Sequence, residues 1–118
     1  MQIMPTESVR WTSDRNAGGA IIARQIRALA RGHAAVHVKR ERAWASITFS
    51  GTRYCFSVEW QDATYAAAVQ ELVQVLPNHE FVIPGFFVAD ILIKDRSDTR
   101  LLVEILTIVD PVDALQRS

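Results

Sequence analysis

A chain of 118 residues, 49% hydrophobic and 22% charged, fits one globular domain with a core of its own and leaves no room for a second. Zero formal net charge and a single cysteine, Cys55, exclude an intrachain disulfide framework and the strongly basic footprint of most nucleic-acid domains, and point to a cytoplasmic protein. No run approaches the roughly 18 apolar residues of a membrane helix, and the first eight residues lack the basic and apolar stretches of a targeting segment, so no membrane partner is expected.

Residues 1–16 read as a loose, polar lead-in. Over 20–31, Ile22, Ile26 and Leu29 form an apolar stripe, and Gly32 sits where a C′ residue ends a helix. Arg24, Arg27 and Arg31 recur on the other side as a basic ridge, most simply the solvated face of an amphipathic helix. Asn16-Ala17-Gly18-Gly19 offers amides to an anion but lacks the lysine and glycine spacing of a phosphate loop, and reads as a flexible helix start. Residues 34–39 alternate Ala34, Val36 and Val38 against Ala35, His37 and Lys39, as a strand does, and Arg40-Glu41-Arg42 is expected to turn the chain. Over 44–60, Gly51-Thr52 suits the centre of a type II′ turn. That register pairs Phe49 with Tyr54, Ile47 with Phe56 and Ala45 with Val58, and leaves Trp44, Ser46, Thr48, Ser50, Arg53, Cys55, Ser57 and Glu59 on a wet face.

Asp62 is placed to cap a second helix over 63–76, whose stripe of Tyr65, Val69, Leu72, Val73 and Leu76 suits packing on a sheet, and Pro77-Asn78 stops it. Phe81-Val82-Ile83 is extended, and Pro84-Gly85 bends the chain. Two apolar runs, 86–93 and 101–109, then flank the polar residues 94–100 as a hairpin. If Lys94 faces Arg100, Asp90 lies opposite Glu104 among Phe86, Val88, Leu92, Leu102, Leu106 and Ile108. Phe87, Ala89, Ile91, Ile93, Leu101, Val103, Ile105 and Val109 make the other face apolar too, so both need a cover: a helix on one, a second copy of the chain on the other. Phe86, Val88, Leu92, Leu102, Leu106 and Ile108 are thus the expected interface. Asp110-Pro111 opens a short last helix over 111–117. Together these elements predict one α+β domain, α-β-β-β-α-β-β with an optional final helix, its antiparallel sheet carrying helices on one side.

Zero net charge hides an asymmetry. Residues 1–60 hold nine Lys/Arg and four Asp/Glu, and residues 61–118 hold four and nine. Mixed charge is the ordinary state of a surface, so the two sets are expected to interleave; segregation would favour antiparallel self-association or one polar partner.

Chemistry concentrates at Asp90 and Glu104. Two acids on adjacent strands in apolar surroundings cannot both stay charged cheaply, which suits general acid/base work or metal binding. A different register, or an arginine pairing with them, would make them structural instead. His33, His37 and His79 lack the spacing of a zinc site, so no metal is expected. Cys55 lacks a readable base and oxyanion hole, and no motif specifies a cofactor. The basic set Arg24, Arg27, Arg31, Lys39, Arg40 and Arg42 has only Trp44 as an adjoining aromatic, which ranks nucleic acid low among partners.

Trp44-Ala45-Ser46-Ile47-Thr48-Phe49-Ser50-Gly51-Thr52-Arg53, Val88-Ala89-Asp90 and Glu104-Ile105-Leu106-Thr107 resemble a group of small bacterial proteins sharing a W-A-S-x-T-F-x-G-x-R hairpin, a G-H-x-V-A-D strand and an E-A-L-T strand. The resemblance covers 44–110 and implies one shared module, with no activity to carry over. Phe86 stands where that pattern has histidine, and Ile105 where it has alanine. The expected order of elements is also similar to that of type III secretion chaperones, small dimers that bind effector segments, although those are usually acidic. The expected function is a non-enzymatic binding or assembly module, homodimeric, with a protein or peptide as a further partner. The alternative is a small enzyme or a ligand- or metal-binding protein built on Asp90 and Glu104.

Overall fold

The computed structural model describes the backbone of residues 7–110 and the side chains of residues 18–110. Helix α1 (Glu7–Leu29) is followed by strands β1 (Ala34–Ala45) and β2 (Ser50–Trp60), helix α2 (Ala66–Val75), and strands β3 (Phe86–Arg96) and β4 (Arg100–Val109). The α+β class stands, with one antiparallel sheet in the order β1-β2-β4-β3. Two strands precede α2 where three were expected. The helix expected over 111–117 lies outside the described residues. No described helix is long and apolar enough to cross a membrane.

Helix α1 starts at Glu7, so the expected loose lead-in is helical from there. At its other end Arg31, with φ 58, takes the left-handed C′ position and Gly32 follows at φ 76. The Gly32 amide donates to the Arg27 carbonyl (2.9 Å) and the Arg31 amide to that of Ala28 (3.0 Å), the paired closure of a Schellman motif displaced by one residue from the expected stop. Gly18 and Gly19 lie within the helix. A Cβ on Gly18 would stand 2.7 Å from the Tyr54 hydroxyl, and one on Gly19 would stand 3.2 Å from Val38 Cγ2. Each helical glycine costs about 1 kcal/mol against alanine, offset here by the close seating of the helix on buried Tyr54.

Arg40-Glu41-Arg42 does not turn the chain. Strand β1 runs through it with a bulge at Lys39, and the turn comes at 46–49, where the Ser46 amide donates to the Phe49 carbonyl (2.7 Å) and the Ser46 hydroxyl accepts from the Phe49 amide (3.1 Å). Gly51 is therefore a ladder residue, paired with Trp44 on one side and Ile108 on the other. A Cβ there would collide with the Thr107 carbonyl, so close approach of β4 explains the glycine that resembled a turn signal.

Tyr54, Phe56, Val58 and Trp60 on β2 and Leu101, Val103 and Ile105 on β4 form one buried cluster with Ile22 and Ile26 of α1 and Val69 and Leu72 of α2. Both helices thus cover the same face of the sheet. Asp62 caps the short 3-10 turn Ala63–Tyr65 that leads into α2: its carboxylate accepts the Thr64 amide (3.0 Å) and hydroxyl, and these bonds hold its pKa below the usual aspartate value. Pro77 lies in the closing 3-10 turn Leu76–Asn78, as expected. Pro84-Gly85 forms a tight turn, with Gly85 at φ 82 and the Phe86 amide on the Ile83 carbonyl (3.0 Å).

Candidate functional site

Paired residues of an antiparallel sheet point to the same face, so the register defines what lies opposite the helices. Four rows cross that face from β1 to β3. They are Trp44-Gly51-Ile108-Phe87, then Arg42-Arg53-Leu106-Asp90, then Arg40-Cys55-Glu104-Leu92, then His37-Ser57-Leu102-Asp95. No described helix packs on them, although Ser57 and Ile108 are buried within the face. Leu102 and Leu106 are half-buried, while Phe87 and Leu92 are exposed at 41% and 46%.

The hairpin closes at Arg96 and Leu101, not at Lys94 and Arg100 as expected, and β3 carries bulges at Ala89 and Lys94. Asp90 faces Leu106, and Glu104 faces Leu92, so the acids are diagonal neighbours on one face and not a directly opposed pair. Glu104 accepts a hydrogen bond from Arg53 Nη1 at 3.2 Å, with both side chains partly buried. Asp90 is exposed. The register thus separates the two acids, and an arginine pairs with Glu104 alone. The Ala89 bulge also turns Phe86 and Val88 to the helix side, opposite Val109 and Thr107, where Val88 packs on the core. They leave the expected interface set, and Phe87 enters it.

The feature that sequence reasoning missed is a recess of about 130 Å³ lined by Arg40, Arg42, Arg53, Tyr54, Cys55 and Glu104. Arg42 lies directly across the ladder from Arg53, a like-charge pairing that destabilises a sheet unless something offsets it. Glu104 is the one carboxylate in the lining. The alternation of β2 already put Arg53 and Cys55 on this face; Arg40 and Arg42 were hidden because their segment was read as a turn.

Of the remaining candidates, His79 lines a groove with Glu80 and Asp90, and the others stay apart. Arg24, Arg27 and Arg31 are exposed on α1, and Arg31 meets Glu71 at 3.1 Å. His79 meets Gln25 Oε1 at 3.3 Å, His33 stacks near Tyr65, and His37 is exposed on β1. Among the described residues no three His, Cys, Asp or Glu side chains group as a metal site. Beside His37, Glu59 accepts from the Ser57 hydroxyl (2.7 Å), which holds its pKa below the usual glutamate value.

Charge does not interleave in the sheet. Strands β1 and β2 from the first half of the chain lie beside each other, and β4 and β3 from the second half lie beyond them. On the open face β1 presents Arg40 and Arg42, and β3 presents Asp90 and Asp95. No protein-family model, curated protein or solved structure matches this chain.

Proposed function

We propose that this chain is a non-enzymatic binding module that assembles with a second copy of itself through the open face of its sheet. The contrast between the two faces supports it. One is sealed by both helices, whereas the other carries Phe87, Leu92, Leu102 and Leu106 as an apolar band on which no described helix packs. Four strands at about 4.8 Å spacing and about ten residues long give a face of roughly 600 Å², hence about 1,200 Å² buried by two copies, the lower end of stable interfaces. Edge pairing is the poorer route. The outer strands carry bulges at Lys39, Ala89 and Lys94, and charged side chains along β1, devices that discourage strand addition.

Sedimentation or light scattering at tens of micromolar tests this, on the order of the concentration at which so small an interface holds. The wild type should be a dimer, and Leu102→Asp and Leu106→Asp should be folded monomers. A monomeric wild type overturns the proposal.

A further inference from the structure

We infer that the arginine recess is completed by the second copy: the two open faces pack with β1 of one subunit over β3 of the other, so that Asp90 of the partner subunit docks on Arg42. This rests on the self-assembly proposed above and adds its geometry.

The open face is a charge dipole. On this face Arg53 and Glu59 balance on β2, and Glu104 and Arg100, which pairs with Glu59 beyond the four rows, balance on β4. That leaves Arg40 and Arg42 uncompensated at one edge and Asp90 and Asp95 at the other. Asp95 is reached by Arg100 only at 3.8 Å, between exposed side chains. Among the described residues Asp90, Arg40 and Arg42 form no ion pair, while Glu104 turns to Arg53. The like-charged neighbours Arg42 and Arg53 therefore lack a second carboxylate.

Two copies pack face to face with closed symmetry when a two-fold axis lies between the sheets. An axis across the strands stacks β1 on β1 and sets arginine against arginine. An axis along the strands, between β2 and β4, stacks β1 on β3 and keeps each row in register with itself. The row Arg42-Arg53-Leu106-Asp90 then meets its own reverse: Arg42 faces the partner's Asp90, and Arg53 faces the partner's Leu106. His37 faces the partner's Asp95 in the same way. Aligned sheets cross at about 30°, which shifts the edge strands by about one residue, within reach of an arginine. Each symmetric dimer holds the Arg42 contact twice, so charge choice at these two positions sets both orientation and partner specificity.

The test is a charge swap read by sedimentation equilibrium, with circular dichroism to check folding. Arg42→Asp and Asp90→Arg should each weaken the dimer roughly 100-fold, about tenfold per contact and twice per dimer. The double variant R42D/D90R should recover to within about tenfold of wild type. An equimolar mixture of the two single variants should also dimerise, because both contacts of the heterodimer are then opposite in charge. If a single variant fails to fold, Arg42→Gln and Asp90→Asn replace it, each weakening the dimer by a smaller factor without repulsion. A wild-type dimer with no rescue in the double variant or the mixture overturns this geometry and leaves self-assembly standing, whereas a monomeric wild type overturns both. Inorganic phosphate that raises the melting temperature of wild type but not of R42D, without loosening the dimer, would assign the recess to a free oxyanion and also overturn it.

Discussion

Along β4, Leu101, Val103 and Ile105 are fully buried beneath the helices, whereas Leu102, Glu104 and Leu106, one residue out of step, stand half-buried on the open face. The strand is almost as apolar on one side as on the other. What separates the sides is cover: α1 and α2 both lie over the first, and no described helix packs on the second. Hydrophobicity on both faces of a strand thus has two outcomes, a sealed core and a surface left for association.

The sharpest way to break this contrast is a charge on each side. Val103→Asp places an unpaired carboxylate in the sealed cluster and should cost at least about 4 kcal/mol, enough to unfold a domain of ordinary stability, as circular dichroism would record. Leu106→Asp, three residues away, should keep the fold and lose the dimer; if it unfolds the chain as Val103→Asp does, the open face is not open.

A smaller effect distinguishes the two acids. Glu104→Gln keeps an acceptor for Arg53 but removes its charge, so melting should report a loss of about 1 kcal/mol, held down by the partial exposure of both groups. Asp90→Asn should leave the monomer's stability unchanged. A divalent metal or metabolite that stabilises the wild type but neither of these variants would instead restore the acids to a working site. Still smaller is the response of α1: replacing Arg24, Arg27 and Arg31 together with glutamine should move stability within about 0.5 kcal/mol per site, since all three are exposed.

The smallest expected effect is the pH response of the Asp62 cap on the 3-10 turn before α2. The folded-state pKa of Asp62 is depressed, so the stability it contributes is present above the unfolded value of 3.8 and is lost as pH falls through the lower folded value. Asp62→Asn, which still accepts the Thr64 amide, should flatten that acid limb of a melting-temperature profile while leaving neutral-pH stability nearly unchanged.

Much of the fold was legible because local patterns agreed with tertiary contacts. The stripe of Val69, Leu72 and Leu76 seats α2, Asp62 starts it, and the alternation Tyr54-Phe56-Val58-Trp60 against Arg53-Cys55-Ser57-Glu59 divides the faces as expected. The errors fell where one signal serves two causes. Gly51 reads as a turn residue but is required by β4, and Gly18-Gly19 reads as a flexible helix start but is required by Tyr54. In both cases the reason for the glycine lies on an element distant in sequence.

What the sequence determined by itself was the periodicity: which residues alternate, which stripe a helix buries, and where a carboxylate caps it. These depend on neighbours within a few positions along the chain. Register and cover were decided only by the tertiary structure. The hairpin closing at Arg96 and Leu101 moved Asp90 off Glu104, the Ala89 bulge turned Val88 inward, and the Lys39 bulge brought Arg40 and Arg42 beside Arg53. A single extra residue in a strand exchanges its faces, and whether it is accommodated depends on how the paired strands and the helices above them pack, which no local pattern encodes.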